Sequence, residues 1–290
     1  MIRTRPRLDL TRATAGTLAL AVLAVLIGMG ALCFWQSVPV WKSEGIGGFL
    51  TGKQWFYRHE RYGLWTMLFG TGAVALIAML VAVPLGLGAA IFTSEFLSPK
   101  TRLVVKALVE LLAGVPSVVY GLLGVLLLRN WIYEGLDLRT GDTLLTGGIL
   151  LGIMVLPTVM TLCDDALQAV PARFRRAARG LGLTRQETIL HAVLPQARSA
   201  ILASILLGFG RATGETIAVF LVIGRQDNRS PDFSALVSPG QTLTSKLGGS
   251  ELNIAYGDSL HWGAMMGVAS VLLLISILVT VGGRRLLRRP

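Results

Sequence analysis

The chain has 290 residues, of which 53% are hydrophobic and only 15% are charged, and its mean hydropathy is +0.64. Because about a quarter of the residues of a soluble domain are charged, this composition excludes an ordinary soluble protein and indicates an integral membrane protein. The net charge of +11 suggests nucleic acid as a partner. No basic stripe with aromatic stacking residues accompanies that charge, however, so we expect no nucleic-acid binding.

Six apolar segments are long enough to cross a hydrocarbon core, which takes about 20 helical residues. They cover residues 14–35, 64–93, 103–128, 144–163, 199–223 and 261–282. The sequence therefore predicts an all-α, polytopic membrane protein with six transmembrane helices, whose core spans residues 64–282. A secretory signal is the alternative for the first segment, but residues 14–35 exceed an ordinary signal core and lack a clear small-residue cleavage site. We expect a retained first helix.

The basic residues are shared unequally between the two sides of the predicted membrane. With the N-terminus inside, 17 of them are cytoplasmic and 9 are external, while Arg211 stays within a span. The excess of Lys and Arg on one side follows the positive-inside rule. It predicts a cytoplasmic N-terminal tail (1–13), a cytoplasmic basic tail (283–290), and external loops at 36–62 and 224–260.

Proline residues are expected to interrupt three successive spans, at Pro84, Pro116 and Pro157. Broken helices of this kind are tolerated where the freed backbone groups line a polar cavity within the protein. The alternative is that proline and glycine are simply common in membrane helices, and the sequence leaves both open.

The most organised polar segment is a basic hairpin at residues 164–198. Its first helix carries a predicted apolar face at positions i, i+3, i+4 and i+7. The face consists of Phe174, Ala177, Ala178 and Leu181. Gly182 should end this helix, and a capping box of Thr184 and Glu187 should begin a second one that ends near Pro195. The apolar face favours docking into a protein groove, whereas the arginines also suit anionic lipid.

A charged pair, Arg211 and Glu215, lies inside the apolar stretch 201–223. A charge at bilayer depth costs about 2.5 to 3.5 kcal/mol on insertion scales, so such residues indicate pairing or function. Their spacing of i and i+4 predicts that both lie on one face of a helix. They mark a candidate pathway for a polar solute.

The sequence predicts no enzyme site, metal site or cofactor site. Gly47 to Lys53 comes near a phosphate-binding Walker A loop, but Gln54 stands where the motif needs Ser or Thr. The cysteines fall in or beside predicted spans and favour neither a disulfide nor a metal. Three histidines lie in loops or at a span edge, so no hydrolase constellation forms in the membrane.

The hairpin resembles the EAA loop of ABC importer type-1 permeases. The match consists of Arg176-Ala177-Ala178, then Gly182, then Leu194-Pro195. Arg176 stands where the family has glutamate, so this chain lacks the carboxylate that the family carries at that position. The resemblance implies that the hairpin couples to an ATPase subunit, with Phe174, Ala177, Ala178, Leu181 and Gly182 as the coupling residues.

Two further segments are similar to phosphate importer permeases of the PstC/PstA type. They are residues 110–121 (ELLAGVPSVVYG) and residues 208–216 (GFGRATGET), and residues 217–219 (IAV) and 239–244 (PGQTLT) lean toward PstC. The resemblance covers about residues 55–282. It implies a bacterial inner-membrane importer of phosphate.

The resemblance also implies partners for this chain. They are a PstA-like second permease that forms a heterodimer with it, a PstB-like cytoplasmic ATPase dimer that binds the ATP, and a periplasmic PstS-like phosphate-binding protein. Membrane lipid is a further expected partner, because of the arginines of the hairpin. The chain itself would need no cofactor. A permease for another oxyanion or small solute is the alternative, because coupling hairpins are shared among importers, and a passive channel is disfavoured by the hairpin.

Arg211, Glu215 and Glu110 are the candidate substrate-pathway residues. A guanidinium offers a planar fork of donors that stays charged when desolvated, which suits an oxyanion. A carboxylate can accept a hydrogen bond from a protonated phosphate oxygen, whereas it repels fully deprotonated sulfate. The alternative is that Arg211 and Glu215 form a buried ion pair that fixes helix packing, with Glu110 capped by local backbone donors.

Overall fold

The computed structural model describes residues 10–229 and 231–287, and side chains over 14–229 and 231–283. The first helices are α1 (Leu10–Gln36), α2 (Val38–Thr51), α3 (Trp65–Phe96), α4 (Pro99–Ala113), α5 (Ser117–Leu123), α6 (Arg129–Gly135) and α7 (Leu144–Gln168). They are followed by α8 (Ala172–Gly180), α9 (Arg185–Thr188), α10 (Leu194–Gly214), α11 (Ile217–Val222), α12 (Leu243–Leu247), α13 (Glu251–Ala255) and α14 (Ser259–Leu287). A hairpin of β1 (Trp55–Phe56) and β2 (Arg61–Tyr62) pairs Trp55 with Tyr62.

Five of the described helices are long and apolar enough to cross a membrane alone. A bent pair, Pro99–Ala113 and Ser117–Gly135, whose two arms meet at 85°, is a sixth candidate. Counted as one broken span, it brings the candidate spans to the six predicted, and the third is then broken near its middle. Parts of the two predicted tails, residues 1–9 and 288–290, lie outside the described residues.

Only one of the three span prolines coincides with a break. Pro116 lies between α4 and α5, where the backbone turns. Pro84 and Pro157 lie inside continuous helices, so the prediction that they interrupt α3 and α7 is wrong. A membrane helix tolerates proline because neighbouring helices and local adjustment compensate for one lost hydrogen bond.

The centre of the fold is the packing of α3 on α7, whose apolar side chains form the larger hydrophobic core. Glycine allows this approach. A Cβ atom on Gly148 would lie 2.6 Å from the Cβ of Ile77, and one on Gly152 would lie 2.8 Å from the Cβ of Val81. Small residues that bring helix backbones close together are a common device of membrane proteins.

The predicted span 199–223 is built differently from the prediction. A wide turn at Ile189–Val193 joins α9 to α10, so one helix runs from Arg185 to Gly214. The second helix of the hairpin therefore does not end near Pro195. Leu194 N donates to Ile189 O five residues back, which lets the helix pass the proline, whose nitrogen has no hydrogen to donate.

The two long segments, residues 36–62 and 224–260, pack together at the N-terminal end of α3. The hairpin at residues 164–198 lies at the opposite end of that helix. We call α2, the β1–β2 hairpin, α12 and α13 the cap. Its core is a second hydrophobic cluster that contains Phe49, Tyr62, Leu64, Leu243 and Met265, all fully buried. The loops predicted at 36–62 and 224–260 are thus structured parts of one body.

Candidate functional site

The hairpin turn between α8 and α9 has the predicted elements. Gly182 has a φ of +83°, the left-handed conformation that glycine adopts without strain. Leu183 N donates to Ala178 O at 3.2 Å and Gly182 N donates to Arg179 O at 3.0 Å, which is a Schellman motif. Thr184 and the residue three positions on form the expected capping box. The turn is therefore locally well determined.

The four residues of the predicted apolar face of α8 differ in their exposure. Ala178 is buried and Phe174 packs half-buried against the larger core, so both serve this chain's own fold. Ala177 is exposed, and Leu181 is 82% exposed. This chain therefore covers Ala178 and part of Phe174, so the four residues do not form one exposed face, and their role in docking stays a prediction. Ala177, Leu181 and Gly182 remain on the surface.

The hairpin is fastened to the end of α3 by an ion pair that the sequence analysis missed. Arg175 Nη2 lies 2.6 Å from Glu95 Oε1, and the side chains are 17% and 6% exposed. Arg175 also donates to Val170 O and Leu167 O, both at 2.8 Å, and so caps the end of α7. The two charged residues are 80 positions apart, and no local pattern joins them.

A second missed ion pair fastens the first arm of the broken span. Arg102 Nη2 on α4 lies 2.6 Å from Asp164 Oδ2 on α7, and Thr93 Oγ1 on α3 donates to Asp164 Oδ1 at 3.2 Å. Three helices therefore meet at one buried carboxylate. Its desolvation is offset by a bidentate guanidinium and a hydroxyl.

The structure places Arg211 in the last turn of α10, where it is exposed along a groove of about 510 Å³ between α10 and α14. Leu207, Val279 and Thr280 are among the residues that line this groove. Within the described part of the chain no carboxylate or carbonyl is hydrogen-bonded to Arg211. Its donors are therefore available to a ligand or a partner chain.

Glu215 does not share a helix face with Arg211. The helix ends at Gly214, and Glu215 has an extended backbone with ψ at 127°. Its Oε1 accepts a hydrogen bond from Ala218 N at 3.3 Å and so caps the start of α11. The prediction of an i and i+4 pair on one face is wrong, because the chain breaks between them.

Glu110 lies near the end of α4, shortly before the break in the third span, and is exposed. Gly114 N donates to the backbone oxygen of Glu110, so the carboxylate itself is not capped by that donor. No ion pair joins Arg211, Glu215 and Glu110 over the described ranges. The chain alone does not bring the three predicted pathway residues into contact.

The cap holds a buried charge cluster centred on Lys246. This side chain is 1% exposed, lies 2.7 Å from Asp227 Oδ2, pairs with Glu251, and stands 4.8 Å from the centre of the Trp55 ring. Burial raises the pKa of Asp227. Burial also acts to raise the pKa of Glu251, but hydrogen bonds and the charge of Lys246 outweigh it and leave that pKa below its ordinary value. The cluster ties the two segments of the cap together.

Comparison with known sequences finds a family that covers most of the chain. Residues 82–290 match the family described as "Binding-protein-dependent transport system inner membrane component". The chain is 32% identical to the phosphate transport system permease protein PstC of Mesorhizobium japonicum, over 96% of this chain and 89% of the relative. It is 31% identical to PstC of Xylella fastidiosa strain Temecula1, over 92% and 86% of the two chains.

Solved structures of transporter subunits share the fold. The chain resembles a chain of the inward-facing MetNI methionine ABC transporter with a TM-score of 0.56 at 17% identity, over 78% of this chain and 93% of that one. It resembles a chain of an amino acid ABC transporter with a TM-score of 0.56 at 20% identity, over 81% and 95%. At such identities the likeness concerns the fold alone.

Proposed function

Because the chain belongs to the family of binding-protein-dependent transport system inner membrane components, we propose that it is the permease subunit of an ATP-driven importer of inorganic phosphate. The observation that carries this proposal is the similarity to PstC proteins over nearly the whole chain. The runner-up is a permease for another oxyanion or small solute, since the coupling hairpin does not itself select the substrate.

Arg211 is the proposed substrate contact. It is a guanidinium in an apolar membrane helix, its donors have no partner within the described part of the chain, and it borders a groove. An unpaired charge in that position is costly unless it is used or paired by another chain. Arginine binds phosphate through two parallel hydrogen bonds, which adds geometric selection to charge attraction.

Glu215 and Glu110 are proposed to favour anions that carry a proton. A carboxylate accepts a hydrogen bond from a protonated phosphate oxygen but repels sulfate, which has no proton to donate near neutral pH. Since neither side chain contacts Arg211 within this chain, the second permease must help to complete the pathway. In Glu215→Gln, unchanged discrimination between phosphate and sulfate would refute this role.

The exposed surface of the hairpin is the proposed docking site of an ATPase subunit. Ala177, Leu181 and Gly182 present that surface, while Phe174 and Ala178 hold the hairpin from inside. The second arm continues as one helix to Gly214, so about 40 Å of continuous helix separates Arg185 from Arg211. A movement of the hairpin would therefore be transmitted along this helix to Arg211. In this way the complex would switch the access of the pathway from one side of the membrane to the other.

The full assembly would contain a PstA-like second permease, a PstB-like ATPase dimer and a PstS-like phosphate-binding protein. ATP would bind to the ATPase dimer, and this chain would carry no nucleotide site and no cofactor. Both termini and the hairpin would face the cytoplasm of a bacterium, with the cap outside, as the distribution of Lys and Arg predicts. Arginines of the hairpin would also lie against anionic lipid.

The test is ATP-dependent uptake of radiolabelled phosphate by vesicles that contain the purified complex. We expect an ATPase subunit to co-purify and unlabelled phosphate, but not sulfate, to compete. Competition by a different solute with no phosphate uptake would favour the runner-up. Solute flux that needs no ATPase would show a passive channel instead.

A further inference from the structure

Both helices of the hairpin, α8 and α9, contact the last turn of α3. From α8, Arg175 donates to both carboxylate oxygens of Glu95, at 2.6 to 3.3 Å. From the start of α9, Arg185 donates to the backbone oxygen of Glu95, and its guanidinium stands 4.6 Å from the centre of the Phe96 ring. Two arginines on different helices therefore hold two consecutive residues.

These contacts differ in strength from an ordinary surface ion pair. Glu95 is 6% exposed, and loss of its partner would leave a buried charge uncompensated, which costs far more than loss of an exposed pair. The pair of Lys106 and Asp165 joins α4 to α7 nearby, but its side chains are 27% and 58% exposed. Exposed pairs contribute little, so this second pair provides a matched control.

The contacts also extend beyond α3. Arg175 caps the end of α7 through the carbonyl groups of Leu167 and Val170, and α7 packs along α3 in the larger core. A displacement of the hairpin is therefore applied to α3 and α7 together. Without Arg175 the first arm of the hairpin would lose its ion pair with α3 and its hydrogen bonds to the end of α7.

We propose that Glu95, Arg175 and Arg185 form a clamp that makes the hairpin and the α3–α7 pair move as one body, so that the clamp converts ATPase movement into a change of the transport pathway. The three are positioning residues, since they transmit movement and touch no substrate. This inference rests on the proposed function for the identity of the driving subunit. It adds that coupling depends on this named set of contacts.

The experiment uses the complete reconstituted complex and measures solute transported per ATP hydrolysed. In Arg175→Gln and Glu95→Gln we expect the ATPase subunit to remain bound and basal hydrolysis to persist, while transport per ATP falls about ten-fold or more, as expected for loss of one partner of a buried pair. The double variant should be no worse than Arg175→Gln alone, because Arg175→Gln already removes the contact with Glu95 as well as the bonds to Leu167 O and Val170 O. KM for the solute should stay unchanged, since the clamp is remote from Arg211.

Milder variants guard against misfolding. Arg175→Lys keeps the charge but loses the bidentate fork, and Arg185→Gln removes the guanidinium that donates to Glu95 O and lies over the Phe96 ring. Both should fold and both should lower transport per ATP, whereas the control Lys106→Gln should change it by less than about two-fold. Unchanged coupling in Arg175→Lys and Arg185→Gln would overturn the clamp. So would loss of the ATPase subunit in every clamp variant, because the contacts would then serve assembly.

Failure of the clamp and failure of the proposed function give different results. If the wild-type complex pumps a solute other than phosphate, the substrate assignment is wrong, but transport per ATP still reports on the clamp. If the wild-type complex imports phosphate while all clamp variants couple normally, only the clamp is refuted.

Discussion

Gly182 determines the shape of the proposed docking turn, so Gly182→Val should separate ATP hydrolysis from transport. The residue has a φ of +83°, and, apart from its two chain neighbours, no heavy atom of the described residues lies within 4 Å of the position where a Cβ would stand. The cost of valine is therefore backbone strain and not a clash. A left-handed conformation costs an L-residue about 1 to 2 kcal/mol, and more for a β-branched one.

That strain is large enough to change the population of the turn. About 1.4 kcal/mol corresponds to a ten-fold change in an equilibrium constant, so the native turn should become roughly ten-fold less favoured against alternatives that open the Schellman motif. The membrane core is untouched, because the turn is exposed at the end of the fold. We expect normal insertion, retained basal ATP hydrolysis and about ten-fold less phosphate transported per ATP.

The assay is phosphate uptake and ATP hydrolysis measured together in vesicles that contain the full complex. Gly182→Asn is one control, since asparagine tolerates left-handed backbone better than other residues do and should keep most of the coupling. Gly180→Ala is the second control, because Gly180 lies in α8 with open space around it and no positive φ. Full coupling in Gly182→Val would refute the role given to this turn.

Three further predictions concern stability, and thermal unfolding of the purified permease measures each. Lys246→Met should lower the melting temperature by several degrees, because removing one partner of a buried pair costs about 3 to 5 kcal/mol. Adding Glu251→Gln should recover part of this loss, and a double variant in which the two losses of stability simply add would contradict the reasoning. Tyr62→Phe should be neutral or stabilise by about 1 kcal/mol, since the Tyr62 hydroxyl is buried with no partner in the described part of the chain. Burial raises the pKa of Tyr62 from 10.0 to about 12, so the folded protein holds the phenol proton more tightly than the unfolded chain does, and its stability should fall as the pH rises from about 10 to about 12. The phenylalanine variant should lack this fall, and an equal alkaline loss in both proteins would argue against the reasoning. Gly148→Ala should destabilise the protein by about 1 to 3 kcal/mol, because the added methyl group would lie 2.6 Å from a side chain of α3. The control Gly72→Ala faces open space and should leave the stability unchanged, and equal melting temperatures of the two variants would refute the packing argument.

The membrane spans follow from local sequence because length and hydropathy are local properties. The hairpin turn is also local, since Gly182, Thr184 and Glu187 each act within a few residues of themselves. These elements were predicted and are present. Proline was a weaker guide, because a membrane helix can pass Pro84 without a break when neighbouring helices support it.

Contacts between distant segments were beyond the reach of sequence patterns. The periodicity of α8 predicted an apolar face, but it could not divide that face between Ala178, which this chain buries, and Leu181, which it exposes. The helix end at Gly214 separated Arg211 from Glu215 although their spacing fits one helix. The pair of Glu95 and Arg175 joins residues 80 positions apart and leaves no local signal.

Transport by variants of Arg211 tests the central claim most directly. The measurement is ATP-dependent phosphate uptake by vesicles with wild-type, Arg211→Lys or Arg211→Gln permease, with bound ATPase subunit and basal hydrolysis recorded in parallel. If the guanidinium of Arg211 binds the anion, the glutamine variant should assemble and hydrolyse ATP, but its phosphate uptake should fall about 10- to 100-fold. This is the loss expected for charged hydrogen bonds of about 1.5 to 3 kcal/mol. The lysine variant should retain part of the wild-type uptake. Wild-type uptake by Arg211→Gln would contradict the account.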